Sequence, residues 1–269
     1  MVMGFSENIQ TSLEYANHAF KSFGSWFVLI LLYVLMFAGT ALMISGVLFM
    51  MVTLFATISP ELSATGGMIP DPEFAVLTSI SGVMMILGII ITIFFSIFIY
   101  GFMMRVYRGG ELALNNWGKM FVEGLLALII MFIYMIPYTV VSTLAVLGPM
   151  DNMAYLIIVG IIIPIILLIV SIMVAMMGVI KFAKEGHFGA AFHFKELFSL
   201  IANIGWLRYF GYWLLMSLIV GVVELVFICI PLVGIVLFVV AMPFIMIVTA
   251  RFYANLYESA LPAVPAATV

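Results

Sequence analysis

The chain has 269 residues, 8% of them charged and 67% hydrophobic, with a mean hydropathy of +1.36. A soluble globule usually carries about 25% charged residues, so this composition excludes one and defines an integral membrane protein. The net charge of -3 also excludes nucleic acid as a partner, because binding phosphates needs a concentrated basic face.

The chain begins with GFSENIQTSLEYANHAFKSF, in which Phe5, Ile9, Leu13, Ala16 and Phe20 recur at steps of three and four and so line one face of a helix. Glu7, Glu14 and Lys21 fall off that stripe. Residues 1–25 therefore read as an amphipathic interfacial segment whose apolar face meets either lipid or the protein's own bundle. The apolar run that follows is longer than a signal-peptide core and has no clear cleavage site, so it is expected to stay as a membrane helix.

Crossing the hydrocarbon core takes about 20 apolar residues as helix. Six segments meet this length, at about 26–56, 75–103, 121–146, 155–180, 209–230 and 232–250, within a membrane domain of 26–258 followed by a flexible tail of 259–269. The first two are long enough to tilt or to extend beyond the bilayer. Pro231 enforces a tight turn between the last two, for which a re-entrant pair is the competing reading. Trp26, Trp117 and Trp206 recur at near-equal spacing at the starts of the odd-numbered spans, which suggests three helical hairpins, although Trp collects at any membrane interface. The fold class is an all-α integral membrane protein.

All nine basic residues fall on one side of these spans: Lys21; Arg105, Arg108 and Lys119; Lys181, Lys184, Lys195 and Arg208; and Arg251. The other side holds Glu61, Asp71, Glu73 and Asp151. Basic loops stay in the cytoplasm, so both termini are expected there, in a multi-pass protein of the cell membrane. Ala41 and Ser45 in the first span, and Thr78 and Gly82 in the second, are small enough to let helices approach closely.

The stretch MMRVYRGGELALNNWGKMFVEG, Met103 to Gly124, is the most polar part of the chain's middle. Arg105, Arg108, Glu111 and Trp117 are its candidates for a cytoplasmic partner face, with Glu123 near the interface. Asn115 and Asn116 are placed to cap the following helix. Further on, GAAFHFKELFSLIANIGW sets Phe194, Leu197, Phe198 and Ile201 against Lys195, Ser199 and Asn203, a second amphipathic interfacial helix. Beside it, Glu185, His187, His193 and Glu196 are the only cluster an enzyme would find useful, and His193 and Glu196, spaced i,i+3, are weak metal-ligand candidates. No H-E-x-x-H, G-x-S-x-G or P-loop is present, so neither a catalytic residue nor a cofactor is expected.

Glu224 is the one ionisable residue well inside a span. Intramembrane carboxylates are costly and often mark ion or proton paths, but Glu224 is only seven residues, ~10 Å of helix, from Pro231. Pro137, Pro164 and Pro243 also interrupt spans, as in the broken helices of many transporters, although neighbouring helices commonly compensate such prolines. Cys229 and the 22 methionines read as apolar packing.

Tyr100-Gly101, Arg105, Gly109, Gly110-Glu111, Trp117, Phe121 and Gly124-Leu125, followed by Gly186, Gly189-Ala190-Ala191-Phe192, Phe194 and Leu197, resemble the domain of unknown function 4013 family, polytopic membrane proteins found mainly in archaea. That family commonly has a proline ahead of the loop tryptophan, and Leu112 to Asn116 contain none. The resemblance implies a six-span membrane domain, no established activity and no catalytic residue. The leading functional expectation is a non-enzymatic accessory or scaffolding component of a membrane complex, with the lipid bilayer and either a protein partner or a second copy as its contacts. The alternative is a transporter or lipid-handling channel using Glu224 and the proline-broken helices.

Overall fold

The computed structural model describes residues 2–18, 23–58, 72–149, 152–230 and 233–261, and every regular element among them is helical. The amphipathic α1 (Phe5–Asn17) precedes α2 (Phe23–Ile58), α3 (Pro72–Arg108) and α4 (Trp117–Val146). Next, α5 (Met153–Ile157) passes through a π-helical turn (Ile158–Ile162) into α6 (Ile163–Glu185), and a short 3-10 turn leads to α7 (Phe194–Ile204), α8 (Trp206–Ile228) and α9 (Val233–Ala260). Six of these are long and apolar enough to cross a membrane: α2, α3, α4, the joined α5–α6, α8 and α9. Of the residues named above, Phe20, Lys21, Glu61, Asp71, Asp151 and Pro231 lie outside the described residues, as does the side chain of Glu73.

The six long helices are mainly apolar, and two of them stop where the backbone must turn. Gly109 and Gly186, at φ of 72° and 76°, follow Arg108 and Glu185 directly, and this left-handed conformation is the common way to end a helix because glycine has no Cβ to obstruct it. The π-helical turn has a local cause. Pro164 brings no N–H to the ladder and crowds the turn before it, and there the Ile163 N–H reaches back to the Ile158 carbonyl in the wider π spacing.

Several helices outrun the expected spans, mostly at the basic end. Instead of ending near 103, α3 continues to Arg108, and α4 starts at Trp117 instead of 121, so the polar stretch contracts to a connection of 109–116. The last helix runs past 250 to Ala260 because Phe252, Tyr253, Asn255 and Leu256 are buried in protein, which shields the backbone there as lipid does elsewhere. At 36 and 37 residues, α2 and α3 measure ~54 Å, well beyond a hydrocarbon core of ~30 Å.

Consecutive spans pack on one another, α2 on α3, α4 on α6 and α8 on α9. The contact between α3 and α4 is just as intimate: a Cβ on Gly101 would strike the Met120 carbonyl, and one on Gly124 the Ile97 carbonyl. The pairs are thus continuous with each other. Close approach of α2 and α3 rests on Gly39, Gly46 and Gly88, whose Cβ positions are filled by the opposite backbone. The expected Ala41 and Ser45 instead face outward, because the contacting stripe follows 39, 43 and 46. The hub is α9, which touches α1, α2, α3, α6, α7 and α8.

The core occupies one end of the bundle. Phe102, Met104 and Tyr107 of α3, Met120 of α4, Met177 and Ile180 of α6, Leu197 and Ile201 of α7, Tyr209 of α8 and Phe252 of α9 are all buried in a single cluster. These residues sit beside the basic side chains. Toward the other end Val52, Phe55, Ile86, Val146, Ile161, Leu218 and Val236 are exposed, although α2 and α3 stay in contact where Gly46 meets Ser81 and Met85. Cys229, expected to be buried, is exposed at the end of α8, away from the core.

Candidate functional site at the basic end

The basic ends of α3, α4, α6, α7 and α9 are knitted by ion pairs and hydrogen bonds. Arg105 folds over the 109–116 connection, donating to the carbonyls of Ala113 and Asn115 and, at 2.6 Å, to Asn115 Oδ1. That fixes the role of Asn115. Asn116, the residue before α4, adopts a left-handed conformation (φ 53°) and makes no side-chain cap, so neither asparagine caps the helix through its side chain. Asn tolerates this backbone better than other non-glycine residues, which lets the chain turn into α4.

Arg108 clamps three elements. Its guanidinium meets the Glu123 carboxylate through both terminal nitrogens, at 2.9 and 2.8 Å, and its Nε donates to the Ala183 carbonyl at 2.6 Å. Lys119 lies 3.8 Å from the same carboxylate. Of the four partner-face candidates, the two arginines are therefore engaged within the chain, while Glu111 and Trp117 are exposed. The Trp117 indole rests edge-on against Phe98, with ring centres 5.6 Å apart. Glu111 borders a cavity of about 560 Å³ shared with Tyr15 and His18 of the N-terminal segment.

The N-terminal helix reaches across this end of the bundle. Arg208 of α8 hydrogen-bonds the carbonyls of Val2 and Met3, Phe5 packs on Tyr212 and Phe252, and the Tyr15 hydroxyl donates to the Gly110 carbonyl at 2.6 Å. The Arg251 guanidinium lies over the Tyr15 ring at 5.3 Å. Burial pushes the Tyr15 hydroxyl pKa up, against a smaller downward pull from Arg251. In the centre of α1, the buried face is Asn8, Ser12 and Ala16, while Leu13 of the expected apolar stripe is exposed. The reason is a polar knot: Asn8 Nδ2 donates to the Phe252 carbonyl at 2.9 Å, and Asn255 Nδ2 donates to Asn8 Oδ1 at 3.0 Å and Ser12 Oγ at 3.3 Å. Hydropathy alone missed this knot. Its one sequence signal is the i,i+4 spacing of Asn8 and Ser12.

On the far side, Lys181 is buried at 1% exposure between Glu196, which it contacts directly, and Glu185 at 3.5 Å. The hydrogen bond and charge of Lys181 hold the Glu196 carboxyl below its usual range. Lys184 pairs with Glu258, which also takes both terminal nitrogens of Arg251 at 3.3 Å. His193 Nδ1 stands 3.6 Å from Glu196 and His187 Nε2 3.7 Å from Glu185. Among the described residues no three His, Cys, Asp or Glu side chains gather closely enough to hold a metal ion.

Glu224 belongs to the other half of the molecule. It is half-buried on α8, has no hydrogen-bond or ion-pair partner among the described residues, and is flanked by exposed Val222, Leu225 and Val226. Pro137 and Pro243 lie inside α4 and α9. Pro164 borders a groove of about 550 Å³ between α4 and the π-helical turn, which Glu224 does not line.

Six apolar spans tied together at a charged end define a multi-pass helical membrane protein. The chain belongs to the family described as Protein of unknown function (DUF4013), whose model matches residues 83–232. The match takes in the 109–116 connection, the Lys181 cluster and Glu224, and leaves out α1, α2 and all of α9. Comparison with curated proteins and with solved structures finds no match.

Proposed function

We propose that the chain is a non-enzymatic accessory or scaffolding component of a membrane complex, placed in the cell membrane with its basic end in the cytoplasm. The observation that carries this reading is the state of α8. It packs mainly on its neighbours α7 and α9, with Tyr209 reaching α6 and Tyr212 the N-terminal helix at its basic end; the space beside its Gly221 is open, and its Glu224 has no partner among the described residues. An unpaired carboxylate on a lipid-facing helix is costly, and a companion helix offering a hydrogen-bond donor relieves that cost. On this reading no catalytic step, cofactor or nucleic acid is assigned.

The test is purification in mild detergent, with mass spectrometry of what accompanies the wild-type chain and its Gly221→Leu and Glu224→Gln variants. Stoichiometric recovery of a membrane protein that both substitutions weaken supports the reading. Recovery of the chain alone with a bound small molecule overturns it. A transporter or lipid-handling channel is the second reading, favoured by the groove where Pro164 interrupts the fourth span. Unchanged flux across a pH series in reconstituted Glu224→Gln protein would remove its coupling role.

A further inference from the structure

A second polar cleft, of about 600 Å³, opens at the basic end between α6, α7 and the end of α9. Its back wall is Lys181 and Glu185 of α6, and Lys181 meets Glu196 across the cleft on α7. One ammonium against two carboxylates leaves a surplus negative charge there. Tyr257 also lines the cleft; the residue is buried to 3% exposure, yet its hydroxyl has no hydrogen-bond partner among the described residues and is not sealed from solvent.

The front wall is α7. Lys195, Ser199 and Asn203 repeat at i, i+4 and i+8 along one side of it and line the same cleft. Lys195 is exposed and forms no ion pair among the described residues. Asn203 donates its amide to the Ala260 carbonyl at 3.4 Å, which leaves its own carbonyl oxygen free. The cleft therefore offers a free cation and a hydroxyl on α7 and a carboxylate excess at Glu185 and Glu196 around Lys181, with a phenol hydroxyl lining the same space. Its volume lies within the ~300–1,000 Å³ of small-ligand sites. The complement of such a site is a zwitterion, with an anionic group for Lys195 and Ser199 and a hydrogen-bonding ammonium for Glu185 and Glu196.

The position of α7 narrows the source of that zwitterion. One of its edges buries Leu197, Leu200, Ile201 and Ile204, while another exposes Phe194 and Phe198 beside Trp206. The rings of Phe198 and Trp206 lie 5.8 Å apart. An exposed aromatic ledge next to a polar face marks the headgroup level of a bilayer. We propose that this cleft binds the phosphoethanolamine group of a membrane phospholipid, phosphate on Lys195 and Ser199 and ammonium on Glu185 and Glu196, with the Tyr257 hydroxyl donating to the phosphate. This site goes beyond the scaffolding reading and stands or falls independently of α8.

The experiment uses the full chain in detergent, titrated with phosphatidylethanolamine, phosphatidylcholine and phosphatidylglycerol of identical acyl chains and read by native mass spectrometry. Soluble O-phosphoethanolamine is a separate arm. Retention of phosphatidylethanolamine about tenfold above the other two is expected, because a quaternary ammonium cannot donate to carboxylates and a glycerol headgroup carries no charge for them. Lys195→Ala, on an exposed side chain, and Tyr257→Phe, which removes only the hydroxyl, are each expected to lower retention about fivefold with unchanged thermal unfolding. Equal retention of the three lipids, or indifference to both substitutions, overturns the site. Binding of O-phosphoethanolamine without lipid retention overturns the lipid as the source.

Discussion

The two ends of the bundle are built on different physical terms. At the basic end, spans converge on a dense core, and their charged and amide side chains cross-link α1, α3, α4, α6, α7, α8 and α9. At the other end the same helices present Leu, Ile, Val and Phe outward, and close contact is kept where α2 meets α3. Lipid tails are as apolar as these side chains, so no hydrophobic force draws the helices together there. Convergence needs either close van der Waals fit, as at Gly39, Gly46 and Gly88 between α2 and α3, or polar bonds, and the polar bonds between elements are concentrated at the basic end. A membrane protein of this kind is held like a bouquet, tied at one end.

The contrast can be broken most severely at the helix crossing within the tied end. Gly124→Leu forces a side chain into the Ile97 carbonyl and should cost about 3 kcal/mol or more, read as loss of the folded monomer in size-exclusion chromatography. Gly82→Leu, where nothing lies within 4 Å, should elute as wild type. Next is the α1 knot: Asn255→Leu leaves the buried Asn8 and Ser12 without their donor, for a loss of about 1–3 kcal/mol. Hydrogen exchange should rise across α1 first, and uniform exchange throughout the chain would contradict a local clamp.

A smaller effect is expected for the Arg108–Glu123 clamp, whose side chains are 28% and 13% exposed. A double-mutant cycle with Arg108→Met and Glu123→Gln should give a coupling of about 1 kcal/mol; additivity would show the pair to be incidental. The pH response has a definite sign. The Glu196 carboxyl is held low by Lys181, so its stabilisation is present above the ordinary carboxylate pKa and is lost as pH falls through the depressed value. Acidification should therefore loosen α7 selectively, as increased exchange over 194–204, and Glu196→Gln should remove that dependence. At the end away from the core, Leu218→Ala on α8, an exposed position, should shift stability by under about 0.5 kcal/mol. A large loss would mean that this end is packed against something.

Much of the architecture was legible in the residues. The six spans follow from runs of apolar side chains long enough to satisfy a bilayer, and the common side of the basic residues is visible in their placement between alternate spans. The site was legible only in part. Arg105, Arg108, Glu111 and Trp117 were recognised as one polar stretch, but local sequence does not say that Arg108 turns inward to Glu123 while Glu111 and Trp117 remain outside. Asn255 and Tyr257, so near a flexible-looking tail, gave no sign of being buried.

What the sequence determined by itself is the environment and the order of the spans, since both depend on the free energy of placing each stretch of chain in lipid, a sum over neighbouring residues. What only the tertiary structure decided is which polar groups meet. Asn8 and Asn255 are 247 positions apart and Lys184 and Glu258 are 74 apart, and no local pattern encodes either meeting. They occur because α9 passes through the centre of the tied end, where each polar side chain must find its partner in another helix or remain unsatisfied.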